Sequence, residues 1–135
     1  FDCNTYVYVW KKNPIASKSS VSLQELEKYP CLTFDQGKTN SFYFAEEVFS
    51  TYEYKQTIQV DDRASMLNLM VGLNGYTLCS GIICEELNGS DYAAVPLKET
   101  EVMTIGYVKR KSIQLSELAQ LYVNELAKYK NLVLK

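Results

Sequence analysis

The sequence predicts an α/β fold, an open sheet of mixed, mainly parallel strands flanked by helices. Two observations lead to this prediction. Stretches rich in β-branched and aromatic residues alternate with stretches whose apolar residues recur at helical spacing. Between residues 31 and 79 the predicted order is strand, helix, strand, helix and strand, which is typical of parallel strands joined by helices. The length of 135 residues suits one domain with its own core.

The first elements follow from local signals. Residues 6–10 are β-rich and end at a turn signal in residues 11–14. Ser22 and Glu25 have the spacing of a capping box, which predicts a short helix beginning at Ser22. Residues 31–34 are typical of a short buried strand.

The pattern of strand and helix then repeats. A helix is predicted over Phe44 to Phe49, and residues 56–60 alternate as a half-buried strand. Asp61 or Asp62 is expected to cap the next helix. That helix should end at Asn74-Gly75, because both residue types tolerate the left-handed conformation, and residues 76–79 form a third strand.

The C-terminal part is predicted to contain two more strands, at residues 92–95 and 102–108, and one final helix. Apolar residues of this helix recur at helical spacing. We expect the stripe to pack on the sheet, with a dimer interface as the alternative. Its residues are Leu118, Leu121, Tyr122, Leu126 and Tyr129.

Composition excludes several classes of function. Lys and Arg number 14 against 16 Asp and Glu, and no basic patch is present, so this chain alone is not expected to bind DNA. The absence of histidine removes the usual base for a Ser or Cys nucleophile, so we expect no enzyme. No apolar run approaches the roughly 20 residues that cross a bilayer. No signal peptide is visible, and the start looks cut from a longer protein.

The cysteines are Cys3, Cys31, Cys79 and Cys84. The spacing of Cys79 and Cys84 fits neither the CxxC redox motif nor paired zinc knuckles. We therefore expect reduced structural thiols in the cytoplasm, with a redox sensor, a disulfide or a metal site as alternatives. Neither a metal nor a cofactor is predicted.

The location of a ligand site follows from the predicted sheet. Ligands of open α/β sheets bind beyond the carboxyl ends of the strands, and Phe34 and Val60 are two such ends. After Phe34, free backbone amides, hydroxyls and a helix start suit a small carboxylate, sulfate or phosphate. The alternative is that the hydroxyls only cap the helix. The predicted ligand-binding residues of this loop are Gly37, Lys38, Thr39, Asn40 and Ser41.

Arg63 follows the second strand end and is a further candidate. A cation in the first turn of a helix is disfavoured by the helix dipole. We favour a local ion pair of Arg63 with Asp61 or Asp62, and the alternative is that Arg63 faces an anionic ligand.

Three segments, taken in order, resemble a known family. They are residues 13–16 (Asn-Pro-Ile-Ala), 22–26 (Ser-Leu-Gln-Glu-Leu) and 70–81 (Met-Val-Gly-Leu-Asn-Gly-Tyr-Thr-Leu-Cys-Ser-Gly). Together they resemble the second half of the effector-binding domain of LysR-type transcriptional regulators. Asn13 stands where that family usually has His, one extra residue precedes Gly75, and Ser80-Gly81 replaces a common Pro.

The resemblance implies a periplasmic-binding-protein-like, Rossmann-like fold of two subdomains joined by crossing strands. Residues 1–11 would be a crossover strand, with Tyr6 to Trp10 as the strand itself, and residues 12–101 the second subdomain. Residues 102–135 would contain the return strand and a C-terminal helix of the first subdomain. The rest of the first subdomain and the DNA-binding domain would lie outside this chain.

The resemblance also implies a function. A small, anionic metabolite would bind in the cleft between the subdomains and change the DNA-binding geometry of a dimer. Its contacts would include the loop from Gly37 to Ser41 and the residues Cys3, Asn4 and Thr5. DNA would be contacted only through the missing N-terminal domain, and no membrane partner is implied. The alternative is a fragment of a solute-binding protein from a transport system.

Overall fold

The computed structural model describes residues 1–35, 53–99 and 102–128. Within them are seven strands and four α-helices, together with a 3-10 helix at Pro14–Ser17. The strands are β1 Asp2–Asn4, β2 Tyr6–Trp10, β3 Cys31–Phe34, β4 Thr57–Val60, β5 Tyr76–Cys79, β6 Tyr92–Pro96 and β7 Val102–Thr104. The helices are α1 Leu23–Leu26, α2 Arg63–Gly72, α3 Glu85–Asn88 and α4 Glu117–Lys128. None of the helices in these ranges is long and apolar enough to cross a bilayer.

Five of the strands form a mixed sheet in the order β4-β3-β5-β2-β6. Strand β3 is parallel to β4 and β5, whereas β2 runs antiparallel to both of its neighbours, β5 and β6. Four of the five strands therefore point the same way, which confirms the prediction of a mixed, mainly parallel open sheet. Phe34 lies opposite Val60 in the register, so the two predicted strand ends share one edge.

The strands predicted to cross between subdomains lie in two different sheets. Strand β1 pairs antiparallel with β7, with Cys3 opposite Met103, and these two strands form a separate ribbon. Tyr6–Trp10, the predicted crossing strand, lies inside the five-stranded sheet. The physical reason is burial, because Val7, Tyr8 and Val9 are all buried and need covered surface on both faces. The strand predicted over residues 102–108 ends at Thr104, after which most residues are exposed.

The sheet separates two hydrophobic cores because successive side chains of a strand point to opposite faces. Val7 and Val9 of β2 pack with Ile15, Leu26 and other residues on the face covered by the 3-10 helix and α1. Tyr8 packs on the other face, which α2 covers through Met66 and Met70. Burying a side chain of this size stabilises the fold by about 1.5–3 kcal/mol.

The predicted helix starts are confirmed. The Ser22 hydroxyl accepts a hydrogen bond from the Glu25 backbone N–H, and a Glu25 carboxylate oxygen accepts from the Ser22 N–H at 2.9 Å. Asp62 caps α2 by accepting from the Ser65 N–H at 2.8 Å. The Ser65 hydroxyl, together with this backbone bond, holds the pKa of Asp62 below its usual value.

The end of α2 lies close to the predicted position. The helix ends at Gly72, and Asn74 takes the left-handed conformation with φ at 55°. Gly75 is needed for a different reason, since a Cβ there would lie 3.0 Å from the Pro30 carbonyl oxygen. Both residues of the Asn-Gly pair therefore have a defined structural role.

Helix α4 is confirmed as a helix, but its expected packing on the sheet is wrong for the described residues. None of its side chains is buried, and Leu118 and Tyr122 are 76% and 64% exposed. The reason is that the sheet already carries other elements on both faces. The helix predicted around Phe44 to Phe49 lies outside the described residues.

Asn13 joins two segments that are distant in sequence. Its side-chain amide donates to the Asn74 carbonyl oxygen at 3.0 Å, and its carbonyl oxygen accepts from the Ile15 N–H at 2.9 Å. Asn13 is buried, so water cannot replace either partner. This residue therefore connects the start of the 3-10 helix to the turn that follows α2.

We predict that Asn13→Ala lowers the free energy of unfolding by about 2–4 kcal/mol, because it leaves two polar backbone groups without partners. Urea unfolding of the full-length protein measures this change. Lys11→Ala, at an exposed neighbouring position, is the control and should change stability by less than about 0.5 kcal/mol. Equal stabilities of the two variants would contradict the connecting role.

Candidate ligand-binding site

A cavity of about 220 Å³ lies beside the carboxyl ends of β3 and β5. It is lined by residues of β2, β3, β5 and β7, by the first two turns of α2, and by the segment from Ser80 to Asn88. This position agrees with the rule that ligands bind beyond the carboxyl ends of strands in open α/β sheets. This cavity is the candidate ligand-binding site.

Most of the cavity wall is apolar. Its apolar part consists of ring, thioether and aliphatic groups that suit the flat faces of a ligand, and polar side chains are added by Arg63, Thr77, Ser80 and Asn88. Met103 brings the β1–β7 ribbon into the wall, so the cavity touches both the main sheet and this ribbon. The principal apolar residues are Phe34, Met66, Leu67, Ile82 and Met103.

Arg63 carries the only charge among the described residues that line the cavity. The favoured expectation of an ion pair with Asp61 or Asp62 is wrong, because no carboxylate in residues 1–35, 53–99 and 102–128 pairs with Arg63. The carboxylate of Asp62 is instead held by the Ser65 N–H. The guanidinium is thus an exposed cation at the wall of an apolar cavity, which suits an anion.

Tyr8 lines the cavity from the middle of β2. Its hydroxyl is buried and has no hydrogen-bond partner among the described residues. Burial, with smaller contributions from Tyr92 and Cys79, raises the pKa of Tyr8 to about 12, against an opposing effect of Arg63. Tyr8 therefore presents a neutral hydroxyl at physiological pH.

Cys79 lines the cavity at the end of β5. Burial raises the pKa of its thiol to about 11, although the Gly81 N–H donates a hydrogen bond to the sulfur at 3.3 Å. The thiol is therefore protonated at neutral pH and is a poor nucleophile. None of the four cysteines forms a disulfide in the structure.

Gly81 sets the shape of the cavity rim. Its φ of +79° is a left-handed conformation that favours glycine, and a Cβ at this position would lie 2.6 Å from the Tyr6 ring. The chain can therefore turn directly after Ser80 only with glycine here. This turn leads into Ile82, which is part of the apolar wall.

The structure brings only one described member of the predicted site, Arg63, to the cavity. Cys3 is buried in β1 and its thiol donates to the Met103 carbonyl oxygen at 3.4 Å. Asn4 is exposed, and Thr5 is buried with its carbonyl accepting from the Leu97 N–H. The predicted loop residues Gly37, Lys38, Thr39, Asn40 and Ser41 lie outside the described residues.

Sequence reasoning missed the polar members of the cavity wall other than Arg63, which are Tyr8, Thr77, Cys79, Ser80 and Asn88. One available signal was the position of Tyr8 between Val7 and Val9, because alternation puts its polar tip on the opposite face from the valines. No cluster of Asp, Glu or Cys able to hold a metal ion is found in the described part of the chain.

The comparison with known proteins identifies the family of this domain. The family model described as the LysR substrate binding domain matches residues 1–130. No curated protein sequence matches the chain significantly.

Similar solved structures agree in fold. HinK, a LysR family transcriptional regulator from Pseudomonas aeruginosa, is 18% identical with a TM-score of 0.63, over 94% of this chain and 44% of its own. The effector binding domain of QuiR in complex with shikimate is 17% identical with a TM-score of 0.56, over 95% of this chain and 61% of its own. The BenM effector binding domain with its effector benzoate is 14% identical with a TM-score of 0.57, over 97% of this chain and 62% of its own. The chain thus spans less than two thirds of each structure.

We predict that Cys79 reacts with iodoacetamide roughly 100-fold more slowly than free cysteine at pH 8, because only the thiolate reacts. The rate should rise tenfold per pH unit up to pH 9, since the pKa of about 11 lies above this range. Peptide mass spectrometry measures the rate at this site, with Cys79→Ser identifying the labelled peptide. A plateau below pH 9 would contradict the raised pKa.

Proposed function

The chain belongs to the LysR substrate binding domain family, and from this premise we propose that it senses a small anionic metabolite. The metabolite would bind in the cavity at the carboxyl ends of β3 and β5. Its binding would be transmitted to a DNA-binding domain elsewhere in a full-length dimeric regulator in the cytoplasm. The family match supports a regulator over a transport-associated solute-binding protein.

The observation that carries the proposal is the cation at the apolar cavity. Arg63 has no carboxylate partner among the described residues, although Asp61 and Asp62 are its neighbours in sequence. An anionic ligand supplies the missing negative charge, and the apolar wall strengthens the interaction by excluding water. The amino-terminal position of Arg63 in α2 adds the positive end of a helix dipole to the same ligand.

Two similar structures support a carboxylate ligand. QuiR is in complex with shikimate, and BenM is with its effector benzoate. Both compounds are small carboxylates with a six-membered ring, and the cavity of about 220 Å³ is below the roughly 300–1,000 Å³ of pockets for drug-sized molecules. We infer that the ligand here is of comparable size and charge.

The residues expected from the sequence extend this proposed site. The loop of Gly37, Lys38, Thr39, Asn40 and Ser41 follows Phe34, which is itself part of the cavity wall. Cys3, Asn4 and Thr5 lie in or next to β1, whose partner strand contributes Met103. We propose that both segments contact the ligand when the two subdomains close.

The proposed signal travels through the crossing strands. We propose that residues 12–101 form the second subdomain and residues 102–135 return to the first, with the crossover in residues 1–11. Met103 connects the cavity to the β1–β7 ribbon, so a ligand touching it could favour one arrangement of the subdomains. A preference of about 1–3 kcal/mol between two arrangements is typical of allosteric coupling.

We predict that Arg63→Met raises the Kd for small carboxylates by roughly 10- to 100-fold in the full-length protein, because one charge-assisted interaction is lost. Isothermal titration calorimetry with benzoate and shikimate measures this change. The melting temperature should stay the same or rise slightly, since a cation in the first turn of a helix is unfavourable.

Arg110→Met is the matched control for Arg63→Met. Arg110 is exposed and does not line the cavity, so its replacement removes the same charge without affecting the site. The proposal fails if Arg63→Met and Arg110→Met have the same Kd, or if no small carboxylate binds the wild-type protein.

A further inference from the structure

The hydroxyl of Tyr8 has no evident role within the protein. The Tyr8 side chain is only 6% exposed and its hydroxyl oxygen is buried, yet no donor or acceptor among the described residues bonds to it. A buried hydroxyl without a partner is destabilising, and a phenylalanine at this position would avoid that cost. The same residue lines the cavity, so a ligand can reach the ring.

The position of the Tyr8 hydroxyl is fixed by its surroundings. Its ring stacks on Tyr92 with 5.3 Å between the ring centroids and 15° between the planes. Strand β2 is hydrogen-bonded on both sides, with Thr77 and Ala94 as the partners of Tyr8. The ring therefore has little freedom to turn its hydroxyl toward another partner.

Tyr8 and Arg63 both line the cavity and carry different polar groups, and the other polar lining residues are Thr77, Cys79, Ser80 and Asn88. The guanidinium donates hydrogen bonds and carries charge, whereas the neutral phenol both donates and accepts. The cavity volume of about 220 Å³ is small, so a ligand touching both groups must be compact. A binding site with a buried, unpartnered polar group discriminates against ligands that leave this group unpaired.

We propose that Tyr8 determines specificity by selecting ligands with a second hydrogen-bonding group. The ligand class is a small cyclic or branched acid that has a carboxylate for Arg63 and a hydroxyl or carbonyl oxygen for the Tyr8 hydroxyl. The apolar body between these groups contacts Phe34 and Met66. This inference rests on the proposed function, because it assigns a further ligand contact in the same cavity.

The test uses benzoate, 3-hydroxybenzoate and 4-hydroxybenzoate as matched probes in calorimetry with the full-length protein. We expect the better hydroxybenzoate to bind about 3- to 10-fold more tightly than benzoate, as one added hydrogen bond implies. Tyr8→Phe should reduce this ratio to about one, because the added hydroxyl of the ligand then has no partner at this position.

Tyr92→Phe is the matched control variant. It removes a tyrosine hydroxyl from the other ring of the stack, and that hydroxyl donates to the Leu67 carbonyl oxygen at 3.4 Å. Tyr92 does not line the cavity, so the variant should retain the preference for the hydroxybenzoate. Loss of the preference in Tyr92→Phe but not in Tyr8→Phe would overturn the assignment.

A melting experiment without ligand gives a second, independent readout. Tyr8→Phe should melt at the same temperature as wild type or higher, because it removes an unpaired buried hydroxyl. Tyr92→Phe should melt at the same temperature or lower, because it removes a hydroxyl that has a partner. A lower melting temperature for Tyr8→Phe would show that its hydroxyl bonds within the protein and would overturn the inference.

The outcomes separate this inference from the proposed function. If benzoate binds, Arg63→Met weakens it and no hydroxybenzoate is preferred, the role of Tyr8 is wrong and the carboxylate site stands. A preference that persists unchanged in Tyr8→Phe also overturns the role of Tyr8. If none of the three probes binds wild-type protein, this inference is overturned, and failure of the other small carboxylates as well would overturn the proposed function.

Discussion

The register of the five-stranded sheet is the constraint on which the candidate site depends. Parallel pairing sets Phe34 opposite Val60, and antiparallel pairing sets Tyr6 opposite Cys79. These pairings bring the ends of β3, β4 and β5 to the same edge, where α2 begins. A shift of one residue in β2 would turn Tyr8 to the opposite face, with Val7 and Val9 taking its place. The cavity and its polar groups are therefore consequences of strand pairing more than of any single motif.

The charge at the site depends on which group the Asp62 carboxylate binds. Asp62 could pair with Arg63 or cap α2, and the structure shows the cap, with the Ser65 N–H at 2.8 Å. A cap bond aligns with a fixed backbone donor, whereas an exposed ion pair must order a long flexible side chain and contributes about 0–1 kcal/mol. The cap therefore prevails, and the guanidinium remains available to an anion. The hydrogen bond that caps α2 therefore also leaves Arg63 as a cation at the cavity.

Elements determined by neighbours in sequence could be predicted, and those determined by distant contacts could not. The Ser22–Glu25 capping box, the Asp62 cap and the Asn74-Gly75 helix end depend on residues within one turn, and their types were sufficient. The interior position of β2 and the exposure of α4 depend on which surfaces other segments cover. The cavity likewise requires the sheet pairing, and of the described candidates only Arg63, beside a predicted strand end, lines it.

Tyr8 is an example of a side chain that suits ligand binding but destabilises the folded domain. An interior strand favours residues that fill both faces with apolar groups, and Val7 and Val9 on one face follow that rule. On the other face, a phenol contributes the same ring contacts as phenylalanine but adds a hydroxyl that must be desolvated. A raised pKa of about 12 keeps that hydroxyl neutral, so it can neither repel an anion nor be stabilised by ionising. Such a hydroxyl stabilises the protein only when a group in the cavity forms a hydrogen bond with it. The side chain at this position of β2 therefore determines which polar group the ligand should carry.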